Sequence, residues 1–191
     1  MIVVISGPGG AGKGTLVSRL VARDPKLWLS RSWTTRPRRG GEDPEAYTFV
    51  DPETFAEAVA AGRFLEWAEF IGHRYGTPVP DPPPGRDVLL EIDLQGARQV
   101  LARYPEALLV LLVPPSPEVQ AERLRHRGDS EEEVQRRLAK GREEERLGRS
   151  LTPYVVVNDD LERAMGEVTG ILDGHRRGAP PLSGTGPSEG V

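Results

Sequence analysis

The segment Gly7-Pro-Gly-Gly-Ala-Gly12-Lys13 follows directly on the apolar run Ile2–Ile5 and precedes the helical pattern Leu16-Val-Ser-Arg-Leu20-Val. A strand that breaks into a glycine-rich turn and re-emerges as a helix commits the chain to an α/β architecture with its turn at one end of the sheet. The spacing fits G-x-x-x-x-G-K, a pattern with a mechanism behind it. Successive N–H groups turn inward around phosphate oxygens, the following helix adds its positive end, and the lysine supplies a mobile charge for the outer phosphates. Gly7, Pro8, Gly9, Gly10, Ala11, Gly12, Lys13, Gly14 and Thr15 therefore form the candidate site for a nucleoside triphosphate. The bland alternative is a strand–helix turn with a surface lysine, and the position between strand and helix argues against it. One letter departs from the pattern: the residue after the lysine, whose hydroxyl would meet Mg²⁺, is Gly14, with Thr15 next. Mg²⁺ keeps several waters and can ride mainly on phosphates, so catalysis does not require that hydroxyl.

Composition narrows the class. At 191 residues the chain exceeds one typical domain and falls short of two, which suggests one core with a smaller inserted unit. With no Cys and only 3 His, disulfides, thiol nucleophiles and Cys- or His-built zinc sites drop out, and any metal must bind through oxygen. A net charge of −4 argues against a general nucleic-acid binder. No apolar run approaches the roughly 18 residues of a membrane span, and the opening Met1–Ser6 lacks the basic start and cleavage site of a leader. The expected location is cytoplasmic, without membrane or nucleic-acid partners. Monomer and homodimer are both compatible with these letters.

Ile2–Ile5, Val88–Ile92, Leu108–Val113 and Tyr154–Val157 lack alternation, as strands covered on both faces do. Helical patterns lie between them. Ser116-Pro117 starts one helix, Ser130 with Glu133 forms a capping box for another, and Leu161, Met165, Val168 and Leu172 mark a third ending at Gly174. This alternation predicts a parallel, doubly wound sheet flanked by helices. Residues 32–80 break the rhythm with a Gly/Arg-rich loop, a short Tyr47–Val50 strand, an Asp51-capped helix and the aromatic Phe64–Phe70 segment. They read as the insertion, with 1–31 and 81–173 as the core. Pro78, Pro80, Pro82, Pro83 and Pro84 exclude a regular helix on the return. The tail 174–191, poor in apolar residues, reads as disordered.

Within the insertion, Ser32-Trp-Thr34-Thr35-Arg36-Pro-Arg38-Arg39-Gly-Gly41-Glu42 gathers guanidinium groups. Arginine forks bind phosphate bidentately, and two together would neutralise a second anion brought up to the first. A solvated basic turn is the alternative for this stretch alone. The blocks S-x-T-T-R-x-x-R-x-G-E, Tyr47, Phe64-Leu-Glu66-Trp-Ala68, Tyr75-Gly-Thr77 and Leu90-Glu-Ile-Asp93-Leu-Gln95-Gly96 come in order. With the loop and Val156-Val-Asn158-Asp159-Asp160, they resemble guanylate kinase over about residues 2–173. The resemblance implies a P-loop kinase core with a GMP-binding insertion and a helical lid at about 124–150. It also implies transfer of the γ-phosphoryl group of ATP to GMP, with dGMP as an alternative acceptor, and with Mg²⁺.

By the same resemblance Arg36, Arg39, Tyr47 and Tyr75 correspond to holders of the GMP phosphate, with Glu42 in the same block. Ser32, Glu66 and Thr77 correspond to guanine contacts. Guanine offers N1–H and N2–H₂ side by side to one carboxylate, whereas adenine offers an acceptor at N1, so Glu66 should reject AMP. Asp93, at a strand end, faces GMP, holds a magnesium-bound water, or only caps the helix beginning at Leu94. Arg127 and Arg137 match lid arginines within a run that otherwise reads as a solvated helix pair. Asn158 corresponds to a contact near adenine, or to a plain strand-end turn. The expected catalytic cations are Lys13, Arg36, Arg127 and Arg137. No direct metal ligand stands out, and Thr15 or Asp93 would act through water. Three departures from the family pattern are the shortened Glu42–Tyr47 spacing, the proline-rich return and a shortened lid turn at Arg127-Gly-Asp-Ser130. The competing functions are another nucleoside monophosphate kinase, and a catalytically silent protein-binding module of the same fold.

Overall fold

The computed structural model describes residues 1–70 and 72–178. The chain divides into two compact units, one made of Met1–Ser6 with Lys13–Leu108, the other of Gly7–Gly12 with the chain from Leu109 onward.

In the first unit, β1 (Ile2–Ser6) leads through the loop to α1 (Lys13–Arg23), followed by β2 (Leu27–Leu29). An insertion then holds β3 (Trp33–Thr34), β4 (Thr48–Phe49), α2 (Pro52–Ala60), β5 (Phe64–Phe70) and β6 (His73–Pro78). The chain returns as β7 (Asp87–Glu91) and α3 (Leu94–Arg103). β7 pairs in parallel with both β1 and β2, placing Val4 beside Leu90 and Leu29 beside Leu89. Val3, Val4, Ile5, Leu89 and Leu90 are buried, and so are Leu16, Val17 and Leu20 on the inner face of α1. Each such aliphatic side chain contributes on the order of 1.5–3 kcal/mol by leaving water.

The insertion builds its own sheet in the order β4-β3-β6-β5. Asp51 caps α2, accepting from the Thr54 N–H at 2.7 Å with Pro52 as the first helical residue. α2 turns Phe55 onto Phe64, ring centroids 4.7 Å apart, and Trp33 meets Phe64 edge-on at 5.5 Å. Phe55, Ala58 and Phe64 are the buried centre of this small core. Replacing such a phenylalanine by alanine removes about 3–5 kcal/mol. Between β6 and β7 the proline-rich return is neither helix nor strand, and Gly85 turns it at φ +78°.

The second unit takes up β8 (Leu108–Val113) from Leu109 onward; all six residues of the strand are buried, and it pairs in parallel with β9 (Val155–Val157). The helices are α4 (Pro117–His126), α5 (Glu131–Leu151) and α6 (Leu161–Arg176). Ser116 caps α4, and the Ser130–Glu133 capping box opens α5 as expected. Ala121, Leu124 and Val134 join α4 to α5. α6 runs two residues past Gly174, the expected stop, because helical glycine is unfavourable but tolerated where Leu172 is still buried. The expectation for 179–191 lies outside the described residues. Sequence reading also passed over β2, three residues long, and β6, whose polar letters become a strand through pairing with β5. Among the described residues, no helix is long and apolar enough to cross a membrane.

Candidate active site

The glycine-rich loop is held from outside through its carbonyls. Gln120 Nε2 donates to Gly9 O at 2.7 Å, and Asn158 Nδ2 to Ala11 O at 2.8 Å. Arg123 Nη1 reaches Gly10 O and Ala11 O at 3.4 Å each, while its Nη2 donates to Asn158 O at 2.9 Å. With these carbonyls engaged, and the Ala11 N–H donating to Pro8 O at 3.2 Å, the path of the loop is fixed by its own backbone and by side chains of α4 and the end of β9. Glycine is required at two places for different reasons. Gly7, at φ +147°, has its Cα against Leu112 O, and Gly12, at φ +91°, has its Cα against the Asn158 amide. Any Cβ would strike the atoms that shape the loop. Lys13 opens α1, whose first turn carries no acidic residue to offset the helix's positive end.

Arg137 comes up beside this loop, its Nη1 3.6 Å from where a Cβ on Gly9 would stand. Asp129 holds it at 3.0 Å in an ion pair not aligned as a hydrogen bond. Arg127 ends α4 in the exposed turn. Of the two arginines that the resemblance assigns to a lid, the structure brings Arg137 to the loop. Gln120 and Arg123 were missed by sequence reading. They stand three apart on α4, beside the buried Ala121 and Leu124, and that periodicity was the available signal.

In the first unit, the pairing of β5 with β6 sets Glu66 directly opposite Thr77. The Thr77 hydroxyl donates to Glu66 Oε1 at 2.5 Å and lies 3.4 Å from the Ser32 hydroxyl. All three side chains are buried, with Glu66 only 6% exposed. Burial, opposed by the Thr77 hydroxyl and reinforced by the Asp93 charge, pushes the Glu66 carboxyl up to about 7. Such a desolvated acceptor is poised for a ligand that brings donors. Asp93 caps α3, accepting from the Gly96 N–H at 2.9 Å, so the helix-cap reading is realised while its charge still bears on Glu66.

A second cluster gathers around Arg36. Its guanidinium donates to both Glu42 oxygens at 2.9 and 2.7 Å and to Pro37 O at 2.8 Å. It stacks 5.5 Å from the Tyr47 ring and 5.6 Å from Phe49. Arg39 adds its backbone N–H to Glu42 Oε2 at 3.0 Å. Burial works to raise the Glu42 carboxyl, but the Arg36 and Arg39 donors outweigh it and hold it below the usual carboxylate range. The bond to Glu42 raises Arg36 in turn. Tyr47 lies 6.1 Å from Tyr75, ring to ring, and burial with the Glu91 and Tyr75 charges pushes its phenol up to about 12. Tyr47 thus remains a hydroxyl donor. Thr34, fully buried and unremarked in the sequence, accepts from the Arg36 N–H at 3.1 Å and fixes the start of this loop.

For a metal, the described residues contain no group of three or more His, Cys, Asp or Glu side chains placed to hold an ion by themselves. The carboxylate of Glu91 stands by Gly14, its oxygens 3.6 and 3.7 Å from where a Cβ would be. A sparse oxygen donor set of this kind suits Mg²⁺ carried on phosphates and waters.

The sequence profile of guanylate kinase matches residues 1–175. The guanylate kinase of Synechococcus sp. strain CC9902 is 50% identical over 171 residues, covering 86% of this chain and 90% of that protein. That of Carboxydothermus hydrogenoformans is 43% identical over 177 residues, covering 90% of this chain and 87% of its own. The crystal structure of guanylate kinase from Anaplasma phagocytophilum superimposes with a TM-score of 0.72 at 30% identity, covering 92% of this chain and 85% of the other. Fold, motifs and relatives agree, and the chain belongs to the guanylate kinase family.

Proposed function

We propose that this chain transfers the γ-phosphoryl group of ATP to GMP, releasing ADP and GDP, with dGMP as a possible second acceptor. The observation that carries the choice of base is the buried carboxylate of Glu66, bonded to Thr77 on one oxygen and buried against Gly96 on the other. Guanine brings N1–H and N2–H₂ to it, and those donors draw its proton affinity back down. Adenine brings an acceptor and leaves a desolvated carboxylate unpaired, a mismatch that sites of this kind reject strongly.

The loop amides and Lys13 hold the ATP phosphates, and Asn158 adds support near the nucleotide. Arg36, oriented by Glu42, and Arg39 with Tyr47 and Tyr75 hold the GMP phosphate. Ser32 and Thr77 complete the base pocket. Arg137 and Arg127 add positive charge on the donor side as the lid, 124–150, engages, and residues 32–80 serve as the acceptor-binding segment. Mg²⁺, when bound, neutralises phosphate charge, with Glu91, Thr15 and Asp93 available through water. Transfer is direct and in line, catalysis being mostly positioning and charge stabilisation, so no covalent enzyme intermediate and no general base are needed. A kinase of dissolved nucleotides belongs in the cytoplasm.

The test is ADP release with ATP and each monophosphate in turn, for the native chain and for Glu66→Gln. The native chain should prefer GMP over AMP by roughly 10³-fold or more in kcat/KM, and Glu66→Gln should lose about 10–100-fold of that preference. Equal rates with AMP, or an unchanged preference in the variant, would remove Glu66 from base selection.

A further inference from the structure

Gly96 lies in the first turn of α3, in ordinary helical conformation, where glycine is less favourable than alanine. No turn or left-handed angle explains it. A Cβ there would stand 2.6 Å from Glu66 Oε2, 2.9 Å from Glu66 Cδ and 3.4 Å from Glu66 Oε1, and these are its three nearest neighbours. By contrast, Gly166 and Gly170 in α6 face open space. The first turn of α3 is itself fixed, since the Gly96 N–H is bonded to the Asp93 cap.

We infer that Gly96 is a positioning residue for base selection: its bare Cα forms one wall of the slot that aims the Glu66 carboxylate. Thr77 holds Oε1 from one side, and the absent methyl of Gly96 leaves room for Oε2 on the other. A methyl would meet only the far end of a flexible side chain, so the fold survives while the carboxylate moves. A shift of 1 Å or so in a recognition group is enough to spoil its bonds to two adjacent donors. The helix thus carries an unfavourable residue for the sake of a carboxylate on another element.

This inference rests on Glu66 reading the base, and the experiment separates the two. KM and kcat for GMP and AMP, KM for ATP, and Tm are measured for the native chain, Gly96→Ala, Glu66→Gln and the control Gly170→Ala. Gly96→Ala should raise KM for GMP about 10-fold and narrow the GMP over AMP preference, with kcat and KM for ATP within about threefold. Its Tm should stay at or above native, as for Gly170→Ala. Native KM and preference in Gly96→Ala, alongside lost preference in Glu66→Gln, would overturn the inference alone. Unchanged preference in Glu66→Gln would overturn the base reading and this inference with it. If Gly96→Ala lowers Tm, the same substitution in a Glu66→Asp background, where the carboxyl is one methylene shorter, should restore it. A persistent drop there would mean that Gly96 is packed against something other than Glu66.

Discussion

The two regions proposed to bind anions are made of different material. Around Gly7–Gly12 the proposed ligand face is backbone, and the side chains Gln120, Arg123 and Asn158 spend their donors on carbonyls of the loop. Around Ser32–Glu42 and Glu66–Thr77 the proposed ligand face is side chain, and its groups are already bonded to one another, the Arg36 guanidinium to the Glu42 carboxylate and the Thr77 hydroxyl to Glu66. A backbone cradle reads shape and negative charge, which every nucleoside triphosphate shares. A side-chain pocket reads the pattern of donors and acceptors, which differs from base to base. The contrast predicts that substitutions in the second region change which substrate is used, while those in the first change how fast or how tightly any donor is used.

The largest break in that contrast comes from Lys13→Ala. It should lower kcat about 10³-fold while KM for GMP stays within about threefold, because it removes the lysine proposed to bring its charge to the ATP phosphates. Near-native turnover would take Lys13 out of the phosphate site. Next in size, Arg36→Ala should raise KM for GMP roughly 100-fold and leave KM for ATP nearly unmoved, by steady-state kinetics with each nucleotide varied. It should also lower Tm, since Glu42 would keep its partly buried charge without its partner. Equal losses for both nucleotides would erase the distinction between the regions. Arg123→Ala should have the opposite signature, with KM for ATP up about 10-fold and GMP unaffected, because the carbonyl of Gly10 loses its tether and that of Ala11 is left with Asn158 alone.

The smallest effect is a pH dependence. A Glu66 carboxyl near 7 must release its proton to accept from guanine, so KM for GMP should rise a fewfold as pH falls from about 8 to 6. The phosphate of GMP titrates near 6 on its own account, so the comparison is with Glu66→Gln, which should keep only that part. The same shift affects stability. Folded Glu66 holds a proton that the unfolded chain has lost above its ordinary carboxylate range, so its contribution is favourable at low pH and fades as pH rises through about 7. Tm of the native chain minus that of Glu66→Gln, followed from pH 5 to 8, should decline; a flat difference would contradict the burial of this carboxyl.

The strands β1, β7 and β8 were legible because burial on both faces leaves an uninterrupted apolar run. β6 was not, since His73–Pro78 is polar and ends in proline, and its identity comes from hydrogen bonds to β5. Among the site residues, the loop could be read from spacing alone, because backbone geometry leaves glycines in the sequence. Glu66 could be placed only through the ordered family blocks; by itself it is a carboxylate in a strand. Gln120 and Arg123 stayed hidden because their partners are carbonyls more than a hundred residues away, and an arginine on a charged helix ordinarily faces water. Gly96 shows the same limit, its reason lying in a side chain thirty residues earlier in the chain.

The proline-rich return from β6 to β7 has a thermodynamic side. Pro80, Pro82, Pro83 and Pro84 have φ angles that are restricted before folding begins, so the unfolded ensemble has fewer arrangements of this segment to lose. At about 0.4–1 kcal/mol for each compatible proline, the connection that makes no helix or strand of its own still adds a few kcal/mol, by impoverishing the denatured chain rather than by touching anything in the native one.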